Sequence, residues 1–204
     1  LIDVYRDQKN FDGAEALLRE LAAESPNDVT VASALVEVVS LAAADAVAAG
    51  DAERIRSAEE KTEKLIREYR TRFPTSLTFL QAECDQAARR GDFTRAVGVT
   101  EEIDKLAKGS AVGPLLRARL FSMQNRPREV ARSYAEAVER EPRRLDVRLW
   151  LGKTEMELGN VDEALRQAEY VLETKKDDAE ALLLQARALG ASGIGEVQRE
   201  AARS

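Results

Sequence analysis

The sequence predicts an all-α fold, a solenoid of stacked antiparallel helix pairs, and three observations carry that prediction. Residues 145–178 read as two short amphipathic helices, with Leu149, Leu151 and Gly152 on the first and Ala164, Leu165, Ala168 and Val171 on the second, joined at Gly159-Asn160. Displaced by 34 residues in either direction the segment falls on itself, Gly152 meeting Ala118 and Ala186, and Gly159 meeting Asn125 and Gly193. A fixed period of this size marks a solenoid whose units bury their apolar faces only against neighbours. Small residues also recur in phase. The eighth place of the period holds Cys84, Ala118, Gly152 and Ala186, and the twentieth holds Ala14, Ala96, Val130 and Ala164. Small side chains there let two crossing helices approach closely; larger ones would wedge them apart.

Taken in order, Phe11, Ala14, Leu18, Leu21 and Pro26 match a second helix and its closing proline, with Lys9-Asn10 as the turn before it. Leu1 then falls near the seventh place, so the first helix is expected to lack about two turns and the parent protein to continue N-terminally. The unit 29–76 has 48 residues, 14 more than the period, which predicts helices from about Asp28 to Ala49 and from about Asp51 to Arg72. Seven extra residues make about two turns on each arm, so this hairpin is expected to project. Gly50 breaks the pattern, Asp51 can accept from the exposed amides of the next helix, and Phe73-Pro74 ends it. Regular units follow at 77–110, 111–144 and 145–178. After Ala179 a last first helix is expected through about Leu189. Gly190, Gly193 and Gly195 should then loosen the chain, leaving the polar GEVQREAARS as a sealing helix or tail. The whole, 1–204, is read as one solenoid with partial units at 1–28 and 179–204.

Composition excludes several function classes. One third of the residues are charged and the net charge is -6, which disfavours nucleic acid, since phosphate binding wants a basic surface. The excess is uneven: residues 1–76 hold 10 basic and 15 acidic side chains, whereas 77–204 hold 21 and 22. One cysteine and no histidine rule out an intrachain disulfide, a cysteine metal cluster and the usual general base near neutral pH. The pairs Glu59-Glu60 and Glu101-Glu102 sit in segments rich in lysine and arginine, as solvated faces do, and no phosphate loop or nucleophile elbow is present. No enzyme activity, catalytic residue, metal ligand or cofactor is therefore expected. No apolar run is expected to reach bilayer length, because Glu37 and Asp45 interrupt 29–49, and no membrane insertion is expected. That segment is apolar on several sides. Either its two arms pack together and on neighbouring units, or the projecting part makes a dimer or partner contact.

The residues Leu151-Gly152, Gly159-Asn160, Asp162-Glu163-Ala164, Tyr134, Ala137 and the closing prolines Pro26, Pro74 and Pro142 resemble the tetratricopeptide-repeat (TPR) family over nearly the whole chain. Departures are Lys108-Gly109 and Lys176 where a proline is usual, and the overlong second unit. The resemblance implies a right-handed superhelix with a concave face lined by first helices that binds peptides or partner helices, without implying one function. Chaperone-binding members of the family hold a C-terminal carboxylate with lysine, arginine and asparagine on three successive first helices. The matching places here carry Gln81, Asp85, Leu116, Asp146 and Trp150, or, one unit earlier, Ser33, Glu37, Ala82, Val112 and Leu116, so that role is rejected.

The same resemblance puts the fifth, sixth and ninth places on the concave face. These form three rows: Leu115, Leu149 and Leu183; Leu116, Trp150 and Leu184; Arg119, Lys153 and Arg187. An apolar strip flanked by cations would suit an amphipathic or acidic protein or peptide partner, with Trp150 as anchor. Alternatively the leucines pack between helices and the cations pair with Glu155, Asp146 and Glu180, or the strip is filled by the chain's own tail or a second copy. The functional expectation is a non-catalytic protein-interaction or scaffolding module; the alternative is a structural or self-association segment of a larger multidomain protein, enzymatic or not.

Overall fold

The computed structural model describes residues 10–201, with side chains through 193. The shortened first helix expected before Asn10 and the polar character of the tail lie outside the described residues. Ten α-helices follow one another: α1 Phe11–Glu24, α2 Val29–Ala49, α3 Ala52–Arg72, α4 Leu77–Arg89, α5 Phe93–Leu106, α6 Val112–Met123, α7 Pro127–Arg140, α8 Leu145–Glu157, α9 Val161–Thr174 and α10 Ala179–Ala201. No strand occurs among the described residues. The chain divides into two compact units, Leu1–Glu102 and Ile103–Ser204.

Helix starts follow from local chemistry. Asn10, Asp28, Asp51, Asp92 and Asp178 each accept from free amides of the following helix, among them Thr30 N–H at 2.8 Å and Arg54 N–H at 3.0 Å. A side chain that satisfies these orphan donors contributes about 1 kcal/mol. The hairpin turns use a left-handed residue at Gly91 (φ 76°), Asn125 (φ 54°) and Gly159 (φ 80°), spaced 34 residues apart. Glycine and asparagine tolerate that region best, which explains their recurrence at the turn.

In the first unit, Ala14 and Leu18 of α1, Leu35, Val36 and Val39 of α2, Leu65, Ile66 and Tyr69 of α3 and Phe79 of α4 form one core. The rings of Tyr69 and Phe79 stack with centroids 5.3 Å apart. α2 and α3 have 21 residues each against 14 in α1, and they pair along their length, burying Ala43 and Ala46 near the turn. α2 has a mean hydropathy of 1.8 and is long and apolar enough to cross a bilayer, contrary to the expectation from sequence. Glu37 and Asp45 are its only charges, too few to offset so many valines and alanines. Seven of its 21 side chains are buried within this unit.

In the second unit, Ala111, Ala131, Ala137, Val138, Val147 and Leu151 close one core, and Leu149, Ala164, Ala168, Val171, Ala181 and Leu184 close the next. Glu141, at the end of α7, accepts from the Ala111 N–H at 2.7 Å, so a capping role at α6 is filled from another helix. The backbone bond to Ala111, with Arg144 alongside, holds the Glu141 carboxyl below its usual range. The Gly190–Gly193 region does not break. α10 continues to Ala201, and Gly193, in phase with Gly91 and Gly159, keeps a negative φ. Glycine weakens a helix by about 1 kcal/mol but ends it only where something else rewards the turn.

The eighth-place small residues behave as proposed in three units. Cys84, Ala118 and Gly152 are buried, Cys84 with its thiol 3.6 Å from the Ala96 carbonyl. Ala186 is exposed. Among the described residues no second helix folds back on α10 to cross it.

A glycine the repeat pattern did not single out is equally constrained. A Cβ on Gly113 would lie 2.1 Å from Oδ1 of Asp104, whose carboxylate is held by Arg117 and Arg140. Gly113→Ala is therefore expected to lower stability by about 1–2 kcal/mol despite alanine's better helix propensity, measurable in a urea titration. Unchanged or raised stability would mean that the carboxylate swings aside freely.

Candidate functional site

α6, α8 and α10 carry the nine residues proposed from sequence, spaced i, i+1 and i+4 on each helix. That spacing shares one broad face, but not one environment. Leu149 and Leu184 are buried, 7% and 3% exposed, in the cluster with Ala164 and Ala168; they serve the core first. Leu184 covers Gly152 so closely that a Cβ there would lie 2.6 Å from its Cδ2. Leu115 is half-buried against the Ala111–Ala137 cluster, and Leu116 is half-buried as well. Trp150 is 41% exposed and leans on Tyr134, ring centroids 5.8 Å apart. Arg119, Lys153, Leu183 and Arg187 are exposed, Leu183 at 54%.

Four of the nine converge. Lys153, Leu183, Leu184 and Arg187 line a depression of about 400 Å³ between α8 and α10, together with Met156, Glu157 and Glu180. Met156, Leu183 and Leu184 make an apolar floor, and two cations and two carboxylates make the rim. Lys153 Nζ lies 2.7 Å from Glu180 Oε2, so one rung of the expected cationic ladder is already paired. Both side chains are largely solvated, and such a pair adds little stability. Arg187 has no ion pair among the described residues. The other members of the set, Leu115, Leu116, Arg119, Leu149 and Trp150, do not line this depression.

Met156 and Glu157 escaped the sequence reading, which stopped at the ninth place. They lie three and four residues beyond Lys153, one turn further along the same face, so helical spacing alone would have found them.

Among the described residues no group of histidine, cysteine, aspartate and glutamate could hold a metal ion. The carboxylates held below their usual range are paired with arginines or capped by amides. Arg144 bonds Asp146 and holds it below its usual range against the opposing effect of burial, and Arg90 does the same for Glu63. The Arg90–Glu63 pair links α3 to the end of α4, whereas Arg144 and Asp146 pair locally at the start of α8.

Residues 121–188 match the tetratricopeptide-repeat family model. Among solved structures, a thermophilic TPR protein of Thermus thermophilus is 18% identical, with 93% of this chain and 95% of that chain covered at a TM-score of 0.53. MamA is 14% identical, with 88% and 97% covered at a TM-score of 0.60. At such identities the likeness shows the fold: an α-solenoid of TPR type. No curated protein matches by sequence. TPR proteins serve in general as protein–protein interaction modules and non-catalytic scaffolds. The family match over residues 121–188, one third of the chain, agrees with the period, the in-phase left-handed turns and the small crossing residues, and with them it gives the chain a tetratricopeptide-repeat fold.

Proposed function

We propose that the 103–204 unit binds an amphipathic segment of a protein partner in the depression between α8 and α10. The observation that carries this reading is Leu183, an aliphatic side chain 54% exposed in a depression that it lines with Met156, Leu184 and four charged residues. An apolar side chain of the partner would fill the space over Met156, Leu183 and Leu184. An acidic group beside it would pair with Arg187, the rim cation without an ion pair among the described residues. Recognition by a central apolar contact with a polar rim is the usual anatomy of such sites. Trp150 offers a neighbouring aromatic surface that a longer segment could reach.

Affinity capture of native partners, with mass-spectrometric identification, tests this. Leu183→Glu is expected to reduce recovery of the principal partner at least about tenfold, equivalent to about 1.4 kcal/mol. Arg187→Glu should weaken it in a salt-dependent way, while Arg128→Glu on the exposed face of α7 should leave it unchanged. Leu183 is exposed, so the variants should melt as the wild type does. Equal recovery by wild type and a folded Leu183→Glu protein rejects the site.

A further inference from the structure

A crevice of about 290 Å³ lies in the first unit between α1 and α3 and shares no residue with the depression between α8 and α10. Leu35 of α2 and Leu65 of α3, both buried, give it an apolar wall. Arg19 of α1 and Arg72 of α3 stand in its lining with exposed side chains. Tyr69 lines it too. That side chain is only 3% exposed, its ring stacked on Phe79 and tilted against Phe73, yet its hydroxyl makes no hydrogen bond among the described residues. No fully enclosed side-chain nitrogen or oxygen lacks a partner among those residues, so the hydroxyl is not fully enclosed and opens onto the crevice. A polar group so nearly buried and left unmet costs stability and calls for a specific explanation.

We propose that this crevice binds a small apolar monocarboxylate, the carboxylate accepting from the Tyr69 hydroxyl and from Arg19 and Arg72, the apolar body resting on Leu35 and Leu65. Donors are what the site has in surplus. Arg19 gives Nε and Nη2 to one oxygen of Glu15, at 2.9 and 2.8 Å. Arg72 gives Nη1 to the Pro26 carbonyl at 2.9 Å, stands 3.8 Å from Glu68, and holds its Cζ 5.9 Å from the centre of the Tyr69 ring. A guanidinium has more N–H groups than these bonds use. Burial pushes the Tyr69 hydroxyl above its usual range, Glu68 adding to the effect and the Arg72 and Arg19 charges opposing it, so at neutral pH it is an O–H donor with two cations nearby. A cationic ligand would meet both guanidiniums, whereas a carboxylate gains charge-assisted bonds from them. Size sets the class: at about 30 Å³ per water-sized group the crevice takes about ten non-hydrogen atoms.

Benzoate is a fitting probe, titrated into the 204-residue chain and followed by proton–nitrogen NMR. Additions to about 20 mM should move the amides of Ala22, Ala23 and Tyr69 along saturable curves, with a dissociation constant of about 1 mM for a ligand of that size. Benzamide, which keeps the ring and loses the charge, should bind about tenfold more weakly. Tyr69→Phe should weaken benzoate about tenfold yet melt at or above the wild-type temperature, because it removes a hydroxyl that bonds nothing in the protein. Arg19→Gln, at an exposed position, should weaken benzoate at least about threefold and leave folding intact. Leu183→Glu, in the other unit, should bind benzoate as the wild type does, which keeps this test apart from the partner site. Absence of saturable shifts up to about 20 mM means that water alone meets the hydroxyl, and overturns the proposal. So does a folded Tyr69→Phe protein that binds benzoate as tightly as the wild type.

Discussion

Gly152→Val is expected to destabilise the protein by about 2–3 kcal/mol, a fall in melting temperature of about 5–10 °C for a chain of this size. The position is interior to α8, where glycine by itself is a poor choice and alanine would add up to about 1 kcal/mol of helix stability. Tertiary contact reverses that preference. A Cβ would sit 2.6 Å from Leu184 Cδ2, 3.2 Å from Gln167 Cβ and 3.5 Å from the Ala164 carbonyl, so α9 and α10 close on the same point. A terminal methyl of Leu184 can rotate, but Gln167 Cβ is fixed by its backbone, and the branched valine must displace α9. Gly98 is the internal control. Nothing lies within 4 Å of a Cβ built there, so Gly98→Ala should stabilise by about 0.5–1 kcal/mol. Thermal melts of both variants decide it: equal stability of Gly152→Val and wild type would mean that the α8–α9–α10 crossing is looser than described.

Asp104→Ala should cost about 2 kcal/mol at neutral pH, and less as the pH falls. Asp104, in the last turn of α5, receives Arg117 of α6 and Arg140 of α7, while Glu136 binds both guanidiniums from α7, Arg117 Nη2 at 2.7 Å. Removing the carboxylate leaves two neighbouring cations with Glu136 as the carboxylate they share and the Ser110 carbonyl still bound by Arg140. Breaking a fully buried pair costs about 3–5 kcal/mol; here the side chains keep 14–37% exposure and solvent screens part of the loss. Burial would raise the Asp104 carboxyl, but hydrogen bonds from Arg140 and Arg117 outweigh it and hold the group below its usual range. A folded pKa below the unfolded one gives stability that is complete above the unfolded value of about 4 and is lost as pH falls through the folded value. Urea titrations from about pH 7 to about pH 2 should therefore show wild type and variant converging in acid. A constant difference across that range would assign the cost to packing instead of charge.

How far each feature could be read beforehand follows its physics. Helix starts at Asp28 and Asp51 and turns at Gly91, Asn125 and Gly159 are short-range matters, a side chain reaching an amide three residues on or a backbone entering a region few residues tolerate, and they are plain in the chain of letters. The Asp104–Arg117–Arg140–Glu136 network joins three helices through residues that look, in sequence, like any solvated charge. The proposed site was half legible: the period put Lys153, Leu183, Leu184 and Arg187 on one face, but did not show that Leu149 points into the core or that Glu180 engages Lys153. A face of a helix is a direction, and which neighbour stands in that direction depends on how neighbouring helices cross.

By itself the sequence determined the kind of protein this is, because a 34-residue period with small residues in phase can bury its apolar faces only by stacking hairpin on hairpin. Tertiary structure alone decided which of the in-phase glycines turn the chain. Gly193 has the same chemistry as Gly159, yet one lies within a helix and the other turns the chain, since glycine permits the left-handed turn and only a docked second helix rewards it. From that single difference comes the exposure of Leu182, Ala186 and Leu189 on α10.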